Sequence, residues 1–191
     1  VVMGTPTPAT FHQLTGGATN FTITKNRQTI RLSDIQPYDV VTYDAMSNTL
    51  IVSDLRITCV YKSAEPNVNT PKTITFLDNK LDVLESAWNT TQDFTLGDTV
   101  SLLLTADGKV AGMAAPGADT RSTAIGLVEG GSATVFLPNG GTWKLSGTVS
   151  NADNVDGQLV IFSASRSSLT TSRIADGNRA PGPFDVDEMT L

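Results

Sequence analysis

The chain has 191 residues, of which 39% are hydrophobic, 17% charged and 6% aromatic, which is typical of a soluble folded protein and not of a disordered, collagenous or membrane chain. Nineteen acidic and thirteen basic residues give a net charge of -6, and the absence of a basic stripe argues against binding to nucleic acid or to an anionic membrane surface. One cysteine and one histidine argue against Cys/His zinc sites and intrachain disulfides.

Short segments rich in β-branched and apolar residues follow one another along the chain, separated by turn residues. We predict strands at residues 21–24, 29–32, 39–44, 49–53, 57–62, 73–77, 99–105, 110–113, 124–129, 133–137, 141–145, 159–163 and 169–174. Helical spacing occurs at Leu81, Leu84 and Trp88, which predicts a two-turn helix or an irregular cover over a sheet. The fold class predicted is therefore all-β.

The chain resembles itself when it is shifted by about 60 positions. Eight identities then align between residues 64 and 104, where chance gives roughly two or three. They are Ala64 with Ala124, Phe76 with Phe136, Leu77 with Leu137, Asn79 with Asn139, Ser86 with Ser146, Asp93 with Asp153, Gly97 with Gly157 and Val100 with Val160. A shift of 59 places residues 34–42 over residues 93–101. Each copy is predicted to hold two short strands around a turn, an irregular stretch and a longer hairpin.

A unit of about 60 residues with short strands suits a small closed or half-open barrel that hides its strand edges by curling on itself. We predict tandem small β-barrel-like units, each with at most one short helix. The predicted divisions are residues 1–63 with an N-terminal leader, 64–117, 118–179, and a linker or tail at 180–191. The Pro-, Gly- and polar-rich stretches at residues 63–67 and 115–119 mark the boundaries.

Two segments carry a resemblance to a known family. The run Leu96-Gly97-Asp98-Thr99-Val100 leads into Asp107-Gly108-Lys109-Val110, and Val60-Tyr61-Lys62-Ser63-Ala64-Glu65-Pro66-Asn67 precedes them. This pattern resembles repeated β modules of Firmicutes cell-surface proteins that carry S-layer homology domains, over roughly residues 25 to 170. The resemblance implies export, attachment to the wall through separate domains, and a module that spaces or displays something. The chain begins at Val1 without a charged leader region, so we expect a cleaved leader or a piece of a longer chain.

Two aspartates could be catalytic, or they could stabilise turns through hydrogen bonds to the neighbouring backbone. Asp39 and Asp98 each stand after a turn and directly before a strand that contains valine, where a carboxylate accepts a neighbouring backbone N–H. A glycosidase needs two carboxylates at a separation set by its mechanism, and no local motif nominates a pair. We therefore predict turn roles.

Three other candidate sites are weighed in the same way. Residues 151–157 have the oxygen-rich composition of a calcium loop, with Asp153 and Asp156, but their spacing departs from the EF-hand pattern, so calcium binding is left open. His12 lies in a Thr/Pro-rich leader and is expected at the surface rather than in a catalytic triad. Cys59 alternates within a predicted strand and is expected to be a buried structural thiol.

Trp88 and Trp143 permit two interpretations. Flat indoles stack on sugar rings in carbohydrate-binding proteins, whereas the apolar spacing around both tryptophans favours packing in a core. A carbohydrate-binding module predicts exposed aromatic residues along a groove, and a structural module predicts two buried tryptophans.

The sequence and its resemblance together predict a noncatalytic structural or display module of a secreted bacterial cell-surface protein, located outside the cell. The alternatives are a carbohydrate or cell-wall binding module and an extracellular carboxylate-dependent hydrolase. The expected partners are cell-wall polymers or other surface proteins, with no nucleic acid and no membrane insertion in this segment. No catalytic, cofactor-binding or metal-binding residue is assigned, and no cofactor is expected.

Overall fold

A computed structural model describes residues 1–18 and 20–174 of the chain. Within these residues short strands dominate and each α-helix is a single turn, so the all-β prediction is confirmed. The predicted tail at 180–191 lies outside the described residues. No helix in the described ranges has the length and apolar character needed to cross a membrane.

The elements follow one order three times along the chain: a short hairpin, a helical turn, and a longer hairpin. The N-terminal part holds α1 (His12–Thr15), β1 (Thr22–Lys25), β2 (Gln28–Thr29), β3 (Val40–Asp44), β4 (Thr49–Ser53), β5 (Arg56–Val60) and β6 (Ser63–Glu65). The middle part holds β7 (Thr73–Phe76), β8 (Asn79–Asp82), α2 (Trp88–Thr91), β9 (Thr99–Leu104), β10 (Val110–Ala114) and β11 (Ile125–Glu129). The C-terminal part holds β12 (Ser132–Phe136), β13 (Thr142–Leu145), α3 (Ala152–Val155), β14 (Leu159–Ala164) and β15 (Leu169–Ser172). Single turns of 3-10 helix occupy Pro8–Phe11, Leu32–Asp34 and Glu85–Ala87.

The strands form four open sheets, with strand orders β2-β1-β4-β3, β10-β9-β5, β6-β7-β8 and β13-β12-β11-β14-β15. Of the closed and half-open forms expected, a closed barrel is not found among the described residues, because none of these sheets returns to its first strand. The pairing of β5 shows why. This strand follows β4 in the chain but leaves the first sheet and pairs antiparallel with β9, so that Cys59 lies opposite Val100. The strand β5, which could have closed the first sheet, instead joins the first part of the chain to the middle part.

One large core and a smaller N-terminal core stabilise the described residues. The large core runs from Leu55 to Leu169 and includes Tyr61, Phe76 and Phe162, none of which is exposed to solvent. The smaller core gathers apolar side chains from both ends of the first part: Val2, Phe11, Ile23, Ile35, Leu50 and Val52. The large core crosses the predicted divisions at 63/64 and 117/118, so buried apolar side chains on both sides of each division pack together. The division of the chain into units remains a prediction.

The predicted two-turn helix at residues 81–88 is wrong in its first half. Leu81 belongs to β8 and is buried, a 3-10 turn follows at Glu85–Ala87, and α2 begins only at Trp88. The spacing of Leu81, Leu84 and Trp88 that suggests a helix comes from strand alternation followed by one turn. The segment is therefore the irregular cover that was the other interpretation of this pattern.

Candidate functional site

A buried carboxylate lies where the first longer hairpin begins. Asp39 directly precedes β3 and is 1% exposed. Its Oδ2 atom accepts the backbone N–H of Gln36 at 3.0 Å, which confirms the predicted turn role. The same oxygen lies 3.1 Å from Nζ of Lys25, and Oδ1 lies 3.2 Å from Nη2 of Arg56. Lys25 also lies 3.6 Å from Oδ2 of Asp54, so four charged side chains form one network.

Arg56 connects this network to the rest of the protein. Its side chain is 10% exposed and reaches back to Asp39, while its backbone belongs to β5. Its N–H donates to Oγ1 of Thr123 at 2.9 Å, and its carbonyl accepts the N–H groups of Thr123 and Ala124. Oγ1 of Thr123 in turn donates to the carbonyl of Asp54 at 2.7 Å. One residue thus ties together the first sheet, the β5–β9 sheet and the segment that leads into β11.

The network suits a structural role. Cations and one backbone N–H surround both oxygens of Asp39, and this carboxylate is closed to solvent, so it is not presented to a substrate. Burying a charge is costly unless it is paired and hydrogen-bonded, and removing one partner leaves the other uncompensated. The geometry therefore serves to hold neighbouring parts of the chain together.

Three β-turns recur at the predicted spacing of 59 or 60 residues. The turns at 36–39, 95–98 and 155–158 each have a hydrogen bond from the fourth N–H to the first carbonyl, of 3.1, 3.1 and 3.0 Å. The third residue of each turn has a positive φ, which favours glycine, and two turns have Gly97 (98°) and Gly157 (76°) there. The first turn has Tyr38 instead, with φ of 70°. Such backbone strain at a bulky residue costs roughly 1–3 kcal/mol and clusters at functional sites.

Tyr38 lines a surface cleft of about 410 Å³. Three of its lining residues, Leu103, Ala111 and Met113, are buried. Tyr38 packs against a small apolar cluster of Val40, Leu103 and Ala111. On the α2 side the cleft is lined by Asn89 and Asp93, whose side chains are exposed. The cleft therefore combines an apolar base and an aromatic ring with a polar rim.

The two tryptophans lie elsewhere and both are half-buried. Nε1 of Trp88 donates to the carbonyl of Pro71 at 2.8 Å. Trp143 packs edge-on against Phe76, with ring centroids 6.1 Å apart and an interplanar angle of 89°. Their partial burial matches neither the two buried tryptophans expected of a structural module nor the exposed aromatic residues expected of a sugar-binding groove.

The remaining candidate residues are dispersed. Asp98 is exposed, and its Oδ2 accepts the N–H of Thr95 at 2.9 Å, again in the predicted turn role. Asp153 and Asp156 are exposed, and Asp156 accepts the N–H of Gly130 at 2.7 Å. Across residues 1–18 and 20–174, His, Cys, Asp and Glu side chains do not gather in threes as a metal ion would require. His12 is exposed in α1.

Cys59 is fully buried in β5, as predicted for a structural thiol. Burial raises the pKa of the Cys59 thiol to about 12, because the apolar core disfavours the thiolate. The thiolate is the reactive form of cysteine, so burial disfavours reaction of this residue in the folded protein.

Comparison with known proteins finds no matching family model, no matching curated protein and no matching solved structure. Sequence reasoning identified Asp39 but missed Arg56 and the role of Tyr38. A signal for Tyr38 was present, since the 59-residue alignment sets it against Gly97. An arginine at the first position of an apolar strand gives no comparable signal, because its partner is chosen by tertiary packing.

Proposed function

We propose that this chain is a noncatalytic structural or display module of a secreted bacterial cell-surface protein. The observation that carries the proposal is the connection made by Arg56, whose side chain binds Asp39 while its backbone joins β9 and the segment at 122–124. Because these links connect consecutive parts of the chain, the module resists bending, which is the property that a spacer needs.

The three-fold recurrence of a short hairpin, a helical turn and a longer hairpin supports the tandem character of the module. Stacked units that share a core and short connections extend along one direction and hold what they carry at a fixed distance. The resemblance to repeated β modules of S-layer-homology proteins supports a location on the outside of the cell, with wall polymers or other surface proteins as neighbours.

A replacement experiment in the parent protein tests this role. The module is exchanged in frame for an unrelated folded β module of matched end-to-end length, and a second strain carries a simple deletion. Display of the distal part, measured by antibody binding to intact cells, is expected to fall on deletion and to recover with the unrelated module. If the unrelated module fails to restore display, the spacer role is contradicted. A spacer depends only on length and folding, whereas a specific activity or ligand site depends on the original sequence.

Location is tested separately. Brief protease treatment of intact source cells is expected to release peptides of this chain while a cytosolic marker stays protected. Release of this chain only after lysis would place the module inside the cell and overturn the proposal.

A further inference from the structure

The turn at 36–39 differs from its two counterparts in the residue at its third position. Glycine occupies the third position of the turns at 95–98 and 155–158, and it adopts the positive φ without strain. The first turn places Tyr38 there at φ of 70°. The two other turns show that glycine closes the same turn without this strain. The position of the Tyr38 ring in the cleft supplies a reason.

The chemistry of the cleft restricts what binds in it. Asp93 is the only charged side chain among its lining residues, and no lysine or arginine lines it. An anionic ligand would therefore meet a carboxylate with no cationic side chain among the lining residues. Tyr38 and Phe94 provide aromatic surface, and the exposed side chains of Asn89 and Asp93 provide hydrogen-bonding groups.

A sugar ring matches this arrangement. A pyranose has an apolar face of C–H groups that packs on an aromatic ring and a rim of hydroxyls that donate to and accept from amide and carboxylate groups. The volume of about 410 Å³ lies within the range of small-molecule sites. We propose that the cleft binds a neutral saccharide, packed on Tyr38 and hydrogen-bonded by Asn89 and Asp93. This activity is separate from the spacer role and uses neither tryptophan.

Titration of the 15N-labelled full chain with tetra-N-acetylchitotetraose and with cellotetraose tests the proposal. Shifts of backbone amides at residues 38 and 89–94 are expected with at least one of the two, at concentrations up to about 10 mM. An anionic probe, tetragalacturonate, is expected to bind at least tenfold more weakly. Absence of binding by both neutral probes, shifts confined to other residues, or stronger binding of tetragalacturonate would overturn the proposal.

Substitutions locate the site and separate it from structural effects. Tyr38→Phe keeps the ring and is expected to retain binding, whereas Tyr38→Leu keeps apolar packing without the ring and is expected to weaken binding at least tenfold. Asn89→Ala, at an exposed position, is expected to weaken binding to a similar degree with an unchanged circular dichroism spectrum. Asn154→Ala, at an exposed position in α3 outside the cleft, is the matched control. Equal affinities for Asn89→Ala and Asn154→Ala would contradict the assignment even if both tyrosine variants failed to fold.

Discussion

Removing the Asp39 carboxylate is the most direct test of how the parts of this protein are held together. In Asp39→Ala, the Arg56 guanidinium loses its carboxylate while its side chain stays 10% exposed. Its Nε atom already lacks a hydrogen-bond partner among the described residues. Breaking a buried ion pair from one side costs about 3–5 kcal/mol, because the remaining charge is desolvated and unpaired. Lys25 is affected less, since it is 19% exposed and keeps Asp54 as a partner 3.6 Å away.

The chain supplies a matched control for this variant. Asp98 occupies the equivalent position in the second turn and accepts the same kind of backbone hydrogen bond, but it is exposed and has no ion pair among the described residues. Asp98→Ala therefore loses only the turn hydrogen bond, about 1 kcal/mol. The difference between the two variants, roughly 2–4 kcal/mol, measures the buried network.

Urea denaturation followed by far-ultraviolet circular dichroism and by tryptophan fluorescence measures both variants. With a slope of about 2 kcal/mol per molar urea, the midpoint of Asp39→Ala is expected to lie about 1–2 M below that of Asp98→Ala. The double variant Asp39→Ala/Arg56→Met is expected to be no less stable than Asp39→Ala, because it also removes the stranded charge. Equal midpoints for the two single variants, or further loss of stability in the double variant, would refute this reasoning.

Three further predictions concern other buried groups. Tyr61→Phe is expected to raise the free energy of unfolding by about 1 kcal/mol, because the buried Tyr61 hydroxyl has no hydrogen-bond partner among the described residues; a lower urea midpoint would contradict this. Asn79→Ala is expected to lower the free energy of unfolding by about 2 kcal/mol more than Asn139→Ala does in the same assay. The reason is that Asn79 forms hydrogen bonds with both the N–H (2.6 Å) and the carbonyl (2.8 Å) of Ser146, whereas Asn139 is exposed. Equal losses would exclude a stabilising role for this pair of hydrogen bonds. Cys59 is expected to react with a thiol reagent at pH 8 only after unfolding. Its contribution to the free energy of unfolding is present below pH 9.0 and is lost as pH rises toward about 12, because the thiol of the unfolded chain ionises first. If the stability of a Cys59→Ala control falls as steeply over that range, the prediction is contradicted.

Strand positions were predictable because a strand that faces a core on one side has an alternating pattern that is local in the sequence. The strand predicted at 73–77 corresponds to β7, and the one at 159–163 to β14. The prediction failed at 81–88, where a strand followed by a single turn imitates helical spacing. It also missed β6, a three-residue strand with two half-buried residues and one exposed residue, whose pattern is too short to read.

Among the candidate sites, the local contacts were predictable from the sequence and the long-range contacts were not. The turn roles of Asp39 and Asp98 follow from a hydrogen bond between residues three positions apart, and the structure confirms them. The ion pairs of Asp39 join it to residues 14 and 17 positions away, and nothing in the local sequence selects those partners. The cleft depends on bringing Tyr38 beside α2, about fifty residues further along the chain, which is decided by packing.

The sequence by itself determined that this is an all-β protein with a single histidine, a single cysteine and turns recurring at about 60 residues. Those properties depend on alternation, turn chemistry and composition, each of which acts over a few residues. Only the tertiary structure decided that β5 leaves the first sheet to pair with β9, that the sheets stay open, and that Arg56 joins three parts of the chain. The physical reason is that alternation fixes which face of a strand is buried but not which strand lies beside it.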